Sequence, residues 1–417
     1  MPEKTALHSP YLAELEVLHN VTKKAGYDTA VAFEFINALI HSSESNLTIF
    51  EKFLRIYEVN QSPDSGKKWL QAAPRLINTA DRFMGKLAKE IKTPEQKAAF
   101  FMDFVESFFF RQATNELGTF FYLHPQRAID IHTSKSKGIP VEYLIAPAPV
   151  AGILIPENIS AKLAFNGILY NPVTRTRENI KRLPYCVYLI SDKGRIYMSI
   201  ASMPDRANPD YRNGVIYNND FVYTKVFFDH VGIILWTDHD HTLEAAMNYS
   251  FDELLTRTKN EVLAQNSKEE FQRIVEIEQF WQQNPSVRKI FEFAAKSLLY
   301  INLNNHRFEE NLEYRALKAK IKGKQNDAKK QQLATHLPRV NNIITISGDK
   351  NYEKTASQHN PSGEPYITPH FRRGHLAVIH YGPKRGQQKV VWRKETIVNE
   401  RLLAHDATVK PKTYVVK

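Results

Sequence analysis

Apolar residues recur every three or four positions through most of residues 10–125, a spacing that gathers them on one side of a helix. Helices are expected at Tyr11–Lys24, Asp28–Ser42 and Leu47–Glu58. After a break at SPDSGKKW they resume at Leu70–Ile91 and Pro94–Glu116, where Pro94 suits a first turn. The run FMDFVESFFF (101–110) sets Phe101, Phe104, Val105 and Phe108 in one stripe. Stacking on bases is one use for such a stripe, and a buried helix face is the commoner one.

The pattern shortens near Gly138. Val141–Ala146, Gly152–Ile155, Gly167–Tyr170, Tyr185–Ser191 and Arg195–Ala201 are β-prone runs separated by Pro, Asn or Gly. The last two predict a hairpin across Asp192-Lys193-Gly194, with Gly at the position that accepts left-handed geometry. A second pair, Gly214–Tyr217 and Phe221–Phe228, extends a mostly antiparallel sheet. Cys186 in YCVYLI fits a small buried hydrophobe. Tyr185, Tyr188, Tyr197 and Tyr223 form a ladder that suits half-exposed strands or a peptide-binding surface.

Helical spacing returns at Thr242–Ala264, Lys268–Gln283 and Ser286–Asn304. The chain then turns strongly polar from Glu309 to Lys330, offers a short strand at Asn342–Ser347, and passes through an irregular stretch before its last β-prone segment. The expected fold is α+β with four parts: a helical region (1–135), a central domain with a helical continuation (136–322), a polar connector (323–365) and a small basic β-hairpin module (366–417).

Composition narrows the chemistry. A single cysteine among 417 residues excludes an internal disulfide framework and a cysteine-rich metal site, and fits the cytoplasm. No signal peptide or long apolar span is visible, so no membrane is expected. Phosphate-loop, HExxH, GxGxxG and GxSxG signatures are missing, and no cofactor is expected. Asp238, His239, Asp240 and His241 have metal-ligand chemistry, but their place before a helix fits a capped turn better, with Asp238 or Asp240 as the cap.

The charge is unevenly placed. Residues 318–417 hold 20 Lys and Arg against 7 Asp and Glu, while the rest of the chain holds 36 against 38. A basic module on a near-neutral body points to a polyanionic partner, RNA or a ribonucleoprotein first. The segment HFRRGHLAVIHYGPKRGQQKVVW (370–392) concentrates that charge. Two strands, Phe371–Tyr381 and Gln388–Val391, are expected around a turn at 382–386. Arg372, Arg373, Lys384 and Arg385 are the candidate phosphate contacts, supported by Lys389, with His375, Tyr381 and Trp392 shaping the site. For Trp392, which follows Val390 and Val391, packing against the core is the stronger reading. A ribonuclease using His375, His380 and Arg373 is a second reading, although alternation sends the two histidines to opposite faces. A basic tail that docks an acidic protein is a third.

Residues 366–399 resemble a terminal motif found in proteins of phages, plasmids and integrated elements. The matching positions are Arg373, Gly374 and His375, then Tyr381 and Gly382, then Lys389, Val390, Val391 and Trp392. Leu376 and Ala377 stand where many relatives place an aromatic residue and an arginine. FAAKSLLYINLNN, upstream, adds a vaguer likeness. The layout is similar to that of a type V anti-CRISPR family, whose members recognise the nascent effector polypeptide and lower its messenger RNA. The resemblance implies a protein that engages a nascent peptide or protein target together with an RNA-linked one.

Overall fold

The computed structural model describes residues 27–42, 47–60, 62, 64–89, 91, 93–171, 176–192, 194–204, 232–237, 241–263, 284–302, 307–310, 312–324, 326, 329–330, 333, 343–347, 370–372, 374–393 and 396–398. The expected helices at Tyr11–Lys24 and Lys268–Gln283, and the pair Gly214–Tyr217 and Phe221–Phe228, lie outside them.

Five helices form the first layer: α1 (Thr29–His41), α2 (Ile49–Asn60), α3 (Ser65–Ala72), α4 (Leu76–Met84) and α5 (Pro94–Leu117). Thr93 caps α5, its hydroxyl accepting from the Gln96 N–H at 3.2 Å, and Pro94 fills the first turn, where no amide donor is needed. The Phe101, Phe104, Val105 and Phe108 stripe is buried, and so are Met102, Phe109 and Phe110, because α5 is wrapped by the other four helices on one side and by the sheet on the other. Leu70–Ile91 is not one helix. Pro74 separates α3 from α4, and Gly85, at φ 53°, ends α4. α3 starts inside the expected break, at Ser65. A Cβ on Gly66 would lie 1.9 Å from the Glu95 carbonyl oxygen, so glycine lets the starts of α3 and α5 touch.

The central layer is an eight-stranded sheet. Its strands are β1 (Thr119–Leu123), β2 (Val150–Leu154), β3 (Phe165–Asn171), β4 (Thr176–Asp192), β5 (Arg195–Pro204), β6 (Gly232–Trp236), β7 (Arg307–Glu310) and β8 (Ile343–Ser347). They run in the order β6-β5-β4-β2-β1-β8-β7, with β3 paired to the first part of β4. Pairing is antiparallel except where β1 meets β2 and β8. The β4–β5 hairpin closes more tightly than the sequence implies. Asp192 pairs with Arg195, and Gly194 takes φ 78°. Pro184 cannot donate to the ladder, and the register shifts there in a bulge.

Two stretches differ from their sequence patterns. Val141–Ala146 holds a 3₁₀ turn at Val141–Tyr143 that buries Val141 and Leu144, residues three apart. Thr119–Leu123, which continues the helical region, is a strand near the middle of the sheet.

Both faces of the sheet are covered, which explains the near-continuous apolar strands. Phe120, Val150, Cys186, Tyr188 and Tyr197 face the first helical layer, whereas Phe121, Ile153, Val187, Leu189 and Met198 face the opposite way. Tyr185, Tyr188 and Tyr197 are thus core residues and not a peptide surface, and Tyr223 lies outside the described residues. A Cβ on Gly232 would fall 1.9 Å from the Tyr197 hydroxyl, and that ring is locked between Phe53 (4.8 Å) and Phe110 (4.7 Å). Gly232→Ala is expected to cost about 3 kcal/mol through overpacking, seen as a lower urea midpoint.

The third layer contains α6 (Pro125–Thr133), the short α7 (Glu157–Ser160), α8 (Leu243–Leu263) and α9 (Pro285–Asn302). Thr242 caps α8 through the Ala245 N–H at 3.2 Å, the role expected of Asp238 or Asp240, which with His239 lie outside the described residues. α10 (Leu312–Lys322) follows β7.

Candidate nucleic-acid interface

The C-terminal segment folds as two small ladders. β9 (His370–Arg372) pairs with β12 (Thr396–Val398), and β10 (His375–Tyr381) pairs with β11 (Gln387–Arg393). The single strand expected at Phe371–Tyr381 is therefore broken beside Gly374. Cross-strand pairs in the longer hairpin include Leu376 with Trp392, Val378 with Val390 and Ile379 with Lys389. Strand alternation then sorts the side chains.

The inner face docks on the third layer. Leu376 (5% exposed) and Val390 (7%) join the same apolar cluster as α6 and α9. Trp392, expected beside Tyr381, belongs to this inner face. Its ring meets Tyr300 edge-on at 4.8 Å, and the Arg127 guanidinium lies 5.3 Å from its centre. Two polar contacts fix the seat: the Tyr143 hydroxyl donates to the Gln388 carbonyl at 2.8 Å, and the Leu376 N–H reaches the Ser134 hydroxyl at 3.4 Å.

The outer face bears His375, Ala377, Ile379 and Tyr381 from β10, with Lys389, Val391 and Arg393 from β11. Tyr381 is 44% exposed, and the Lys389 ammonium sits 5.3 Å from its ring centre. Lys384 and Arg385 occupy the tip at φ 53° and 57°, both left-handed. Such geometry normally falls to Gly or Asn because a side chain costs about 1 kcal/mol or more there. Here the two cations hold it, while Gly386 does not. Lys384, Arg385, Lys389 and Arg393 are exposed, and none meets a carboxylate among the described residues. Arg372 contributes backbone to β9, and Arg373 lies outside the described residues.

The two histidines do not form a catalytic pair. His375 points outward and His380 to the opposite face, and five residues of strand separate them by about 17 Å. General acid and base must both reach the reacting atoms, and this spacing forbids it for one phosphate.

Several supporting residues escaped sequence reasoning. Lys296 on α9 is 3% exposed, and its ammonium donates to the carbonyls of His132 (3.0 Å) and Ser134 (2.7 Å), closing the C-terminal end of α6. It also pairs with Glu292 at 3.4 Å. Burial holds its pKa below the ordinary lysine value, with Glu292 opposing. A lone Lys inside FEFAAKSLLY was the available signal. Ser134 in turn donates to the Asp130 carbonyl at 2.7 Å, so one serine ties the helix end to the hairpin. Burial lowers the His132 pKa, reinforced by the charges of Lys296, Lys162 and Lys289 and opposed by Glu292. The unfolded chain therefore takes up this proton first as pH falls, so stability is lost on acidification below about 6.5. His132→Gln is expected to flatten that part of the profile when urea midpoints are compared at pH 7 and pH 5.

Fold and surface together define a mixed α+β protein that presents a cationic hairpin on a three-layer body. Among the described residues, no cluster of His, Cys, Asp and Glu could hold a metal ion, and no helix is long and apolar enough to cross a membrane. The chain belongs to the AcrVA2-like family, the anti-CRISPR type V subtype A2 family, whose model matches residues 121–400. It is thus a counter-defence protein of the kind that mobile elements carry. The match begins at β1 and ends just past β12, taking in the sheet, the third layer and the hairpin. A solved structure described as the crystal structure of AcrVA2 aligns over 83% of this chain and 98% of that one, at 11% identity and a TM-score of 0.32. No curated protein matches the sequence.

Proposed function

We propose that this anti-CRISPR family member works in the cytoplasm by holding RNA, alone or within a ribonucleoprotein, on the outer face of its C-terminal hairpin. The observation that carries the reading is the tip and outer face themselves. Lys384 and Arg385 at the tip, Lys389 beside Tyr381 and Arg393 at the far end line one docked hairpin whose stretch from Pro365 to Lys394 contains no Asp or Glu. Arginine grips phosphate oxygens in a fork, lysine adds mobile charge, and Tyr381 offers a ring to an unstacked base. Family membership supports an RNA-linked target, because CRISPR effectors work through a guide RNA.

A protein partner, in particular a nascent effector polypeptide, is assigned to the body of the molecule, so that the hairpin engages RNA while the body selects the protein. The test is crosslinking in the native host, followed by identification of RNA and protein in one pull-down. Recovery of RNA crosslinked within residues 375–393 supports the reading, and recovery of protein alone overturns it in favour of a basic docking tail.

A further inference from the structure

A second group of cations adjoins the hairpin, in a part of the chain whose overall charge is near neutral. After α6 the chain runs Ser134, Lys135, Ser136, Lys137 to Gly138, which turns it at φ 76°. The serines point inward, Ser134 to the Asp130 carbonyl and Ser136 to the Glu292 carboxylate at 2.7 Å. The lysines between them are exposed. On α9, Lys289 lies one turn before Glu292 and Phe293, and the Phe293 ring is 6.5 Å from that of His132. Lys162, just past α7, is near enough for its charge to act on His132. Lys162 and Lys289 thus act on one histidine, Lys135 and Lys137 flank the Ser136 that is bonded to Glu292 on the same helix as Lys289, and none of the four is in an ion pair among the described residues. Two acidic groups beside the cluster are already engaged: Glu292 by Lys296 and Ser136, and Asp130, buried, by Arg127 at 3.4 Å.

This cluster abuts the hairpin. Ser134, next to Lys135, is the residue on which Leu376 is seated, and His375 and Arg393 form the cross-strand pair at that same end. Lys384 and Arg385 stand at the other end, about 20 Å away along a seven-residue strand. We infer that the hairpin's outer face and the Lys135, Lys137, Lys162 and Lys289 cluster form one continuous track for a single strand of RNA longer than the hairpin alone can hold. The inference rests on the RNA-binding reading above and extends it to a part of the surface that the C-terminal charge excess does not reveal. A single strand fits better than a duplex because Tyr381, 44% exposed with Lys389 over its ring, lies beside the track and can meet an unstacked base.

The experiment is fluorescence anisotropy of the full chain with labelled uridine oligonucleotides of four and twelve residues, over a range of salt. The parent is expected to prefer the twelve-residue strand. The triple variant Lys135→Ala, Lys137→Ala, Lys289→Ala is expected to lose that preference, weaken the longer strand by about tenfold or more, and lower its log–log salt slope by about two. Circular dichroism and the urea midpoint of the triple variant should match the parent, since all three side chains are exposed. Phosphate beside His132 also favours its protonated form, so long-strand affinity should rise from pH 7.5 to 5.5, an effect missing in His132→Gln. If the triple variant keeps parental affinity and slope while Lys384→Gly with Arg385→Gly loses binding, the extended track is overturned and the hairpin reading stands. If the parent binds neither strand, the RNA reading falls and the track with it. A twelve-residue polyglutamate that competes as well as RNA overturns the assignment to nucleic acid.

Discussion

Lys384→Gly combined with Arg385→Gly should remove most RNA affinity while leaving the fold intact. Both residues hold left-handed backbone, where glycine is at ease, so the double change relieves strain at the tip. Glycine also loses more freedom on folding, and the two effects nearly cancel. The unfolding free energy should stay within about 1 kcal/mol of the parent. Binding loses two exposed cations, so affinity at physiological salt should drop about 30-fold and the log–log salt slope should fall by about one to two. Lys384→Ala with Arg385→Ala removes the same charge but keeps the strain, so it should bind as weakly and unfold more easily. Parental affinity in both double variants would show that the tip does not touch the polyanion.

Lys296→Met should have the largest effect on stability for a single change in the third layer. Methionine keeps the apolar stem and removes the ammonium, which isolates the hydrogen bonds from packing. The His132 and Ser134 carbonyls then lose a buried donor, while Glu292, 30% exposed at its side chain, recovers water. Most of the loss comes from the two carbonyls, and the expected cost is about 2–3 kcal/mol. The effect should also spread. Ser134 seats Leu376, so amide exchange in β10 and β11 should accelerate, although residue 296 is far from them in sequence. Unchanged exchange in the hairpin, despite lost stability, would show that the end of α6 and the hairpin are independent.

What the chain displays locally, it displays clearly. The three- and four-residue spacing locates α5 and α9, whose bounds differ from the sequence expectation by one or two residues. Gly194 marks the β4–β5 turn, and period-two alternation separates the faces of β10. The misses share a cause in long-range pairing. TFFYL follows a long helix after one glycine and becomes a strand because residues 150–154 and 343–347 flank it, which nothing within the stretch announces. Trp392 turns inward, as its place after Val390 and Val391 suggests, but the Tyr300 and Arg127 that form its seat cannot be read locally. Left-handed geometry at Lys384 and Arg385 is hidden, since the adjacent glycines are the residues that propensity would choose. The Lys135 to Lys289 cluster is invisible to a count along the chain, because its members are spread over more than 150 positions.

The position of β8 has a further bearing on how the protein is made. β1 is complete by residue 123, but one of its two neighbours in the sheet is not synthesised until residue 347. Until then its open edge presents unpaired amides and carbonyls with phenylalanines on both sides, a template for association with other chains. Premature termination before residue 343 would therefore leave an adhesive fragment. Pairing of β1 on both edges thus waits until residues 343–347 have been made.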